Sequence, residues 1–157
     1  MKLLREILYK VEINSVIGNT SLSINKIEFD SRLISDGDMY IAITGVNVDG
    51  HSFISQAIQN GANCIVCEKI PDNKTDGVVY VNVKSSRKAL AIISSNYFDN
   101  PSSKLNLIGV TGTNGKTTIA TLLFDLYTEL EIKTGLISTV KISYDNICNE
   151  IVLTGNT

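Results

Sequence analysis

Short apolar runs alternate with turn clusters along the first hundred residues. "LSINKIEF" (22–29) sets Leu22, Ile24 and Ile27 between polar neighbours. "MYIAIT" (39–44), "ANCIVCE" (62–68) and "VVYVNV" (78–83) are more continuously apolar. The stretches between them, "DSRLISDGD", "GVNVDGH" and "PDNKTDG", are rich in turn formers. This pattern predicts four strands. Two segments have helical spacing instead. One runs over 53–60, with Phe53, Ala57 and Ile58 on one side, Ser52 as its cap and Gly61 as its stop. The other starts at a Ser85 or Ser86 cap and runs through Phe98, with Ala89, Ile92, Ile93 and Tyr97 on one face. Residues 1–8 read as a short amphipathic helix.

The texture changes at "DNPSSK" (99–104), which holds Pro101 and no large apolar residue and reads as a linker. An apolar strand, "LNLIGV" (105–110), then leads into a glycine loop. A helix follows from about Lys116 to Leu130, with a stripe of Ile119, Leu122, Leu123, Leu126 and Leu130. "TGLIST" (134–139) is the next strand, and "KISYDN" and "CNEIVLT" suggest a hairpin around Asp145-Asn146. The fold class expected is α/β: a small N-terminal α/β domain over 1–100, followed over 104–157 by the start of a P-loop mononucleotide-binding domain. Such a sheet carries helices on both faces, and one strand–loop–helix–strand unit cannot cover its own. The expectation is therefore a fragment of a longer protein, or a surface that something else covers.

Composition narrows the function classes. The 157 residues are 43% hydrophobic and 19% charged, a globular balance. A net charge of −2 supplies no basic field for nucleic acid or an acidic membrane. No apolar run approaches the roughly 18 residues of a membrane span. The N-terminus has an early acid and no small-residue cleavage site, so it does not read as a signal peptide, and a cytoplasmic location is expected. Cys64 and Cys67 form a C-x-x-C, but in a strand residues three apart face opposite ways, so a shared metal or a mutual disulfide is not expected. His51, the one histidine, is assigned a structural place at a helix start.

The chemistry-bearing stretch is "GVTGTNGKTT" (109–118). The usual phosphate-loop spacing would put a glycine at Val110; glycines stand instead at Gly109 and Gly112. The rest of the context is complete. Gly112 and Gly115 flank the bend, Lys116 and Thr117 open a helix, and an apolar strand precedes it. Backbone N–H groups at a helix start and a following lysine are what an anionic triphosphate requires. A rival signal, Asn73-Lys74-Thr75-Asp76, matches the guanine-reading Asn-Lys-x-Asp pattern of regulatory GTPases. It precedes the loop, so only a circularly permuted GTPase could use it; a polar turn is the plainer reading.

"TGTNGKTT" resembles the phosphate loop of the Mur ligases, ATP-dependent amide-forming enzymes of peptidoglycan precursor synthesis. "DSRLISDGDMYIAITGVNVDGHSFISQAIQNGANCIVCE" is similar to their N-terminal uridine-nucleotide domain, "GLISTV" to the strand after the loop helix, and "LTGNT" to the start of their Asn-Thr-Thr-Pro segment. The resemblance spans nearly the whole chain and favours the branch that adds a diamino acid to UDP-N-acetylmuramoyl-L-alanyl-D-glutamate. The branch that adds D-alanyl-D-alanine is the alternative, and a non-catalytic uridine-nucleotide-binding module is a reading of another class.

The resemblance implies roles for named positions. Phe29 and Ser31 would sit against the uridine diphosphate part of the substrate, with Val46, Asn47 and Val48 along the uracil side. Gly112, Thr113, Asn114, Gly115, Lys116, Thr117 and Thr118 would hold ATP, with Lys116 the catalytic cation on the β/γ-phosphates and Thr117 toward Mg²⁺. Asn156 and Thr157 would approach the muramoyl peptide. The implied partners are small molecules, UDP-N-acetylmuramoyl-dipeptide and a diamino acid, and neither nucleic acid nor membrane. Oligomeric state is not implied. Ligase parts that the family places later in its chain fall past Thr157, so no ligase activity is expected of this chain alone. Without the resemblance, Asp30-Ser31-Arg32 reads first as a charged turn at a strand end.

Overall fold

The computed structural model describes residues 1–45, 48–139, 142–143 and 150–154, the last five by their backbone. The chain divides into two compact units, Met1–Asn100 and Pro101–Thr157.

In the first unit, β1 (Lys2–Leu3), α1 (Leu4–Ile7), β2 (Ile13–Ile17), β3 (Ser23–Ile24), β4 (Ile27–Glu28), β5 (Asp38–Ile41), α2 (Ile54–Gln59), β6 (Ala62–Cys67), β7 (Val79–Val83) and α3 (Ser86–Tyr97) follow in order. Five strands make one sheet in the order β2-β7-β6-β5-β4. All neighbours in it are parallel except β2 and β7, which run antiparallel.

The two-residue side-chain period sorts this sheet into two cores. Met39, Ile41, Cys64, Val66, Val79 and Val81 point to one face, which packs against Leu4, Ile7, Ala89 and Ile93 of α1 and α3. Tyr40, Ala42, Ile65, Cys67 and Tyr80 point to the other, against Ile54 and Ala57 of α2. Covered on both faces, these strands have to be apolar throughout, which is why their sequences read as runs rather than alternations. Cys64 and Cys67 fall on opposite faces as free thiols. Burial pushes the Cys67 thiol up to about 11, and the Cys64 thiol higher still.

Three local expectations change. Residues 22–29 are two strands, not one. Ile24 in β3 pairs with Lys2 of β1, whereas Ile27 in β4 pairs with Met39 of β5. The break is at Asn25, whose side chain donates to the Asp36 carbonyl (2.9 Å) and whose N–H goes to Gly37. Ser52 does not cap the helix after it. The chain makes a 3-10 turn over Gly50–Phe53, capped by Asp49, which accepts the His51 N–H at 3.0 Å; Ser52 Oγ donates instead to the Asp49 carbonyl. At the N-terminus the helix is one turn, Leu4–Ile7, preceded by strand β1.

The second unit contains β8 (Asn106–Val110), α4 (Lys116–Glu129), β9 (Thr134–Ile137), β10 (Ile142–Ser143) and β11 (Glu150–Thr154). The sheet order is β10-β9-β11-β8. Among the described residues β10 and β11 are not paired with each other. β10 pairs antiparallel with β9, and β11 inserts in parallel between β9 and β8. Its apolar "IVL" sequence suits a central parallel strand. The proposed hairpin tip, Asp145-Asn146, lies outside the described residues.

The stripe expected on α4 is largely not its packed face. Ala120 is buried beside Leu136, with Leu123 and Phe124 packed around it. Ile119, Leu122, Leu126 and Leu130 are exposed, each by about half or more. The helix thus has two apolar sides, and among the described residues Leu123 is the member of the expected stripe that packs into the buried cluster.

Candidate functional site

Each unit carries one candidate site. In the first, a cleft of about 800 Å³ opens where the chain leaves β4 and β5. Phe29, Ser31 and Val48 all line it; Val46 and Asn47 lie outside the described residues. Phe29 and Val48 present apolar surface, 62% and 56% exposed. Phe53, brought by the 3-10 turn, adds a second aromatic ring, and Ile43 and Leu90 extend the apolar wall.

The polar side is built from the turn after β4. Asp30 caps a 3-10 turn over Ser31–Leu33 and accepts from Arg32 three ways: backbone N (3.0 Å), Nε (2.9 Å) and Nη2 (2.6 Å). The Arg32 guanidinium, then its N–H, hold the Asp30 carboxyl down at about 2. Ser31 is 5% exposed and donates from Oγ to Gln56 Oε1 (2.9 Å), while Asn60 grips its carbonyl (2.8 Å). Asp30-Ser31-Arg32 is thus both a capped turn and a wall of the cleft. On the far rim, Tyr40 donates to the Gly50 carbonyl (2.9 Å); burial, then the Asp30 and Asp49 charges, raise its phenol.

Sequence reasoning missed Phe53, Gln56 and Arg87. Each sits on a helix or turn whose own pattern looked complete, and only the fold brings them to the strand ends. The hint available was the first turn of α3, where Arg87 and Lys88 stand and acids are absent. Helix starts favour the opposite charge.

In the second unit, β8 ends at Val110 and α4 begins at Lys116, so the loop is Thr111 to Gly115. Val110, where a glycine was expected from spacing, is the last strand residue; extended backbone there needs no glycine. The two glycines of the bend do require it: Gly112 has φ +147° and Gly115 +76°. Gly115 is the helix cap residue, left-handed, and no other atom would crowd a Cβ there. The first intrahelical bond is Ile119 N–H to Gly115 O, so the amides ahead of Ile119 are the open donors of the helix start.

Lys116 folds back over the bend. Its Nζ donates to the carbonyls of Gly112 (2.5 Å) and Thr113 (3.4 Å), leaving one of three ammonium donors. Thr117 is half-buried beside it, and Thr113, Asn114 and Thr118 are exposed. A bend without side-chain crowding, an open helix start, a lysine over the hollow and a hydroxyl next to it fit a polyphosphate with its divalent ion. Asn156 and Thr157 lie outside the described residues. Asn73–Asp76, the guanine-reading match, is a turn between β6 and β7, where Thr75 N–H bonds the Tyr80 hydroxyl.

Residues 23–98 match the family model described as "Mur ligase family, catalytic domain". The chain therefore carries a Mur ligase family domain, and the match includes the cleft and stops short of the glycine loop. Over 139 residues the chain is 50% identical to the UDP-N-acetylmuramoyl-L-alanyl-D-glutamate--2,6-diaminopimelate ligase of Cytophaga hutchinsonii, an alignment covering 88% of this chain and 29% of that protein. It is 44% identical over 138 residues to the ligase of the same name from Bacteroides thetaiotaomicron, again 88% of this chain and 29% of that one. The chain spans under a third of the curated relatives it matches. Among solved structures, a ligase of that name is similar at TM-score 0.74 and 20% identity, over 99% of this chain and 36% of the other. This likeness shows the fold alone. The MurF ligase from Thermotoga maritima in complex with ADP is similar at TM-score 0.58 and 28% identity, over 82% of this chain and 31% of that one. No helix among the described residues is long and apolar enough to cross a membrane.

Proposed function

We propose that this chain supplies two binding parts of an ATP-dependent ligase of peptidoglycan precursor synthesis, one that adds diaminopimelate to UDP-N-acetylmuramoyl-L-alanyl-D-glutamate in the cytoplasm. The 50% identity to the Cytophaga hutchinsonii ligase carries this reading. In it, residues 1–100 bind the UDP-muramoyl substrate and 104–157 begin the ATP-binding domain.

The cleft takes the uridine diphosphate end. Phe29 and Val48 offer apolar area for the base. Ser31 holds Gln56 and so shapes the polar wall. In the second unit, Gly112 to Thr118 hold the triphosphate. The Gly112 and Gly115 bend turns backbone N–H groups to the anion, and the Lys116 ammonium moves from the loop carbonyls to the β/γ-phosphates. Thr117 presents its hydroxyl to Mg²⁺. ATP would supply the phosphoryl group that activates the glutamate γ-carboxylate for attack by the amine. Lys116 and the loop amides contribute fixed positive charge where negative charge accumulates between two anions. The structures of the D-alanyl-D-alanine-adding branch share the fold, but the high-identity relatives carry the diaminopimelate name.

Amide chemical shifts of the 157-residue chain, titrated with UDP-N-acetylmuramoyl-L-alanyl-D-glutamate, test the substrate half. Shifts centred on Phe29, Ser31 and Val48 are expected. No shift anywhere in residues 1–100 at millimolar ligand would remove the assignment.

A further inference from the structure

We propose that Arg87 is the anion-reading residue of the first unit's cleft, its guanidinium taking the diphosphate of the nucleoside diphosphate and so setting the cleft's preference for diphosphate over the bare nucleoside. The proposal rests on the uridine-nucleotide reading of that cleft.

The charge inventory singles Arg87 out. Among the described residues the cleft is lined by one carboxylate, Asp30, and two guanidiniums, Arg32 and Arg87. Asp30 and Arg32 neutralise each other through a bidentate pair. Arg87 has no carboxylate partner among the described residues. It donates instead to a neutral acceptor, Nη2 to the Thr44 carbonyl at 3.1 Å. A guanidinium has five N–H donors in a fork that matches phosphate oxygens, and Thr44 uses one. Among the residues that line the cleft, Arg87 is thus the charge without an ion-pair partner; the nearby Asp49 carboxylate, at the rim, is engaged by the Thr44 hydroxyl and by the His51 N–H and ring.

Its position carries the second half. Arg87 lies in the first turn of α3, beside the Ser85 cap, where a cation opposes the helix dipole. The helix gains nothing from it there. An anion in the cleft reverses the sign, because helix start and guanidinium then attract the same charge. The Thr44 bond holds the fork at the loop that carries Val48, which turns back through Gly45 N–H to Val48 O (2.9 Å) and Gly50 N–H to Ile43 O (2.9 Å). Exposed aromatic surface at Phe29 and Phe53, with a guanidinium on the same cleft, fits a planar base joined to a polyanion.

The test titrates the 157-residue chain with uridine, UMP and UDP, following the amides of Phe29, Ser31 and Gln56 so that only the first unit is read. The wild-type chain is expected to bind more tightly at each added phosphate. Arg87→Gln keeps a donor for Thr44 but removes the charge. It should weaken UDP by about tenfold or more and leave uridine unchanged, which flattens the series. Arg87→Lys keeps the charge without the fork and should fall between. If Arg87→Gln weakens uridine and UDP alike, or changes neither, the proposal is overturned while the uridine reading stands. If the wild-type chain binds UDP no better than uridine, the proposal also fails. If none of the three ligands moves these amides, the reading and the proposal fall together.

Discussion

His51 accepts the backbone N–H of Glu68 at Nε2 (2.9 Å), while its Nδ1 faces the Asp49 carboxylate at 2.7 Å. The ring thereby joins the 3-10 turn at the cleft rim to the end of β6. With Nε2 accepting, Nδ1 is the ring nitrogen left to donate to Asp49. Glu68 passes the connection on, since its Oε1 accepts the Ser86 N–H (2.9 Å) at the start of the helix that carries Arg87. The structural place expected for His51 at a helix start is thus a specific one: from the turn that leads into α2 it clamps loop to sheet. His51→Ala leaves the Glu68 N–H without its acceptor and should lower the stability of the first unit by about 1–3 kcal/mol. Urea unfolding at neutral pH measures it, and an unchanged midpoint would show the clamp to be idle.

Asp30 gives the first unit an acid-range dependence. Its carboxyl is held at about 2, against an ordinary value of 3.8, by the Arg32 side chain and then by the Arg32 N–H. A carboxyl depressed by folding stabilises the fold above its unfolded value and loses that contribution as pH falls through the folded one. The window is therefore pH 4 down to 2. Asp49, depressed by the His51 N–H and ring, acts in the same direction. Asp30→Asn should make the fall in stability across that window shallower without abolishing it. Urea midpoints between pH 5 and 2 would show this; parallel curves would refute it.

The bend ahead of α4 depends on left-handed backbone at Gly115. A Cβ there meets no other atom, so the penalty of Gly115→Ala is conformational alone, about 1–2 kcal/mol. The variant should unfold earlier and lose affinity for Mg-ATP, since the amides turn away. Gly109→Ala, also without steric conflict but in strand β8, should change neither. Differential scanning calorimetry with and without nucleotide separates the two.

Burial, not hydrophobicity, decides which side chains hold the units together. Ile93 is fully buried against the first sheet, and Ile93→Ala should cost about 2–5 kcal/mol. Leu126 on α4 is 54% exposed, and Leu126→Ala should stay within about 0.5 kcal/mol. Comparable losses for both would mean that Leu126 is covered in solution.

What the sequence disclosed follows from how local each determinant is. The strands at Met39, Ile65 and Val81 are apolar because both sheet faces are covered, and the runs alone reveal that. The loop from Gly112 to Lys116 is contiguous, so its glycines and lysine announce the bend directly. The break at Asn25 was hidden because a side-chain bond to the Asp36 carbonyl, eleven positions away, overrides an unbroken strand pattern. The place of β11 between β9 and β8 is likewise non-local, since a polar pair between two apolar runs suggests a hairpin wherever the strand finally docks. The cleft draws Phe29, Val48, Gln56 and Arg87 from different elements, and no spacing rule brings them together. The stripe on α4 misled for a different reason. The helix has apolar residues on two sides, and periodicity cannot say which one faces the sheet.

The most direct measurement replaces the aligned N-terminal part of the Cytophaga hutchinsonii ligase with the matching residues of this chain and follows ADP release. Release that requires both UDP-N-acetylmuramoyl-L-alanyl-D-glutamate and diaminopimelate is expected, falling by about a hundredfold or more with Lys116→Ala. A folded chimaera that releases no ADP, or one whose rate ignores the loss of Lys116, would contradict the ligase assignment.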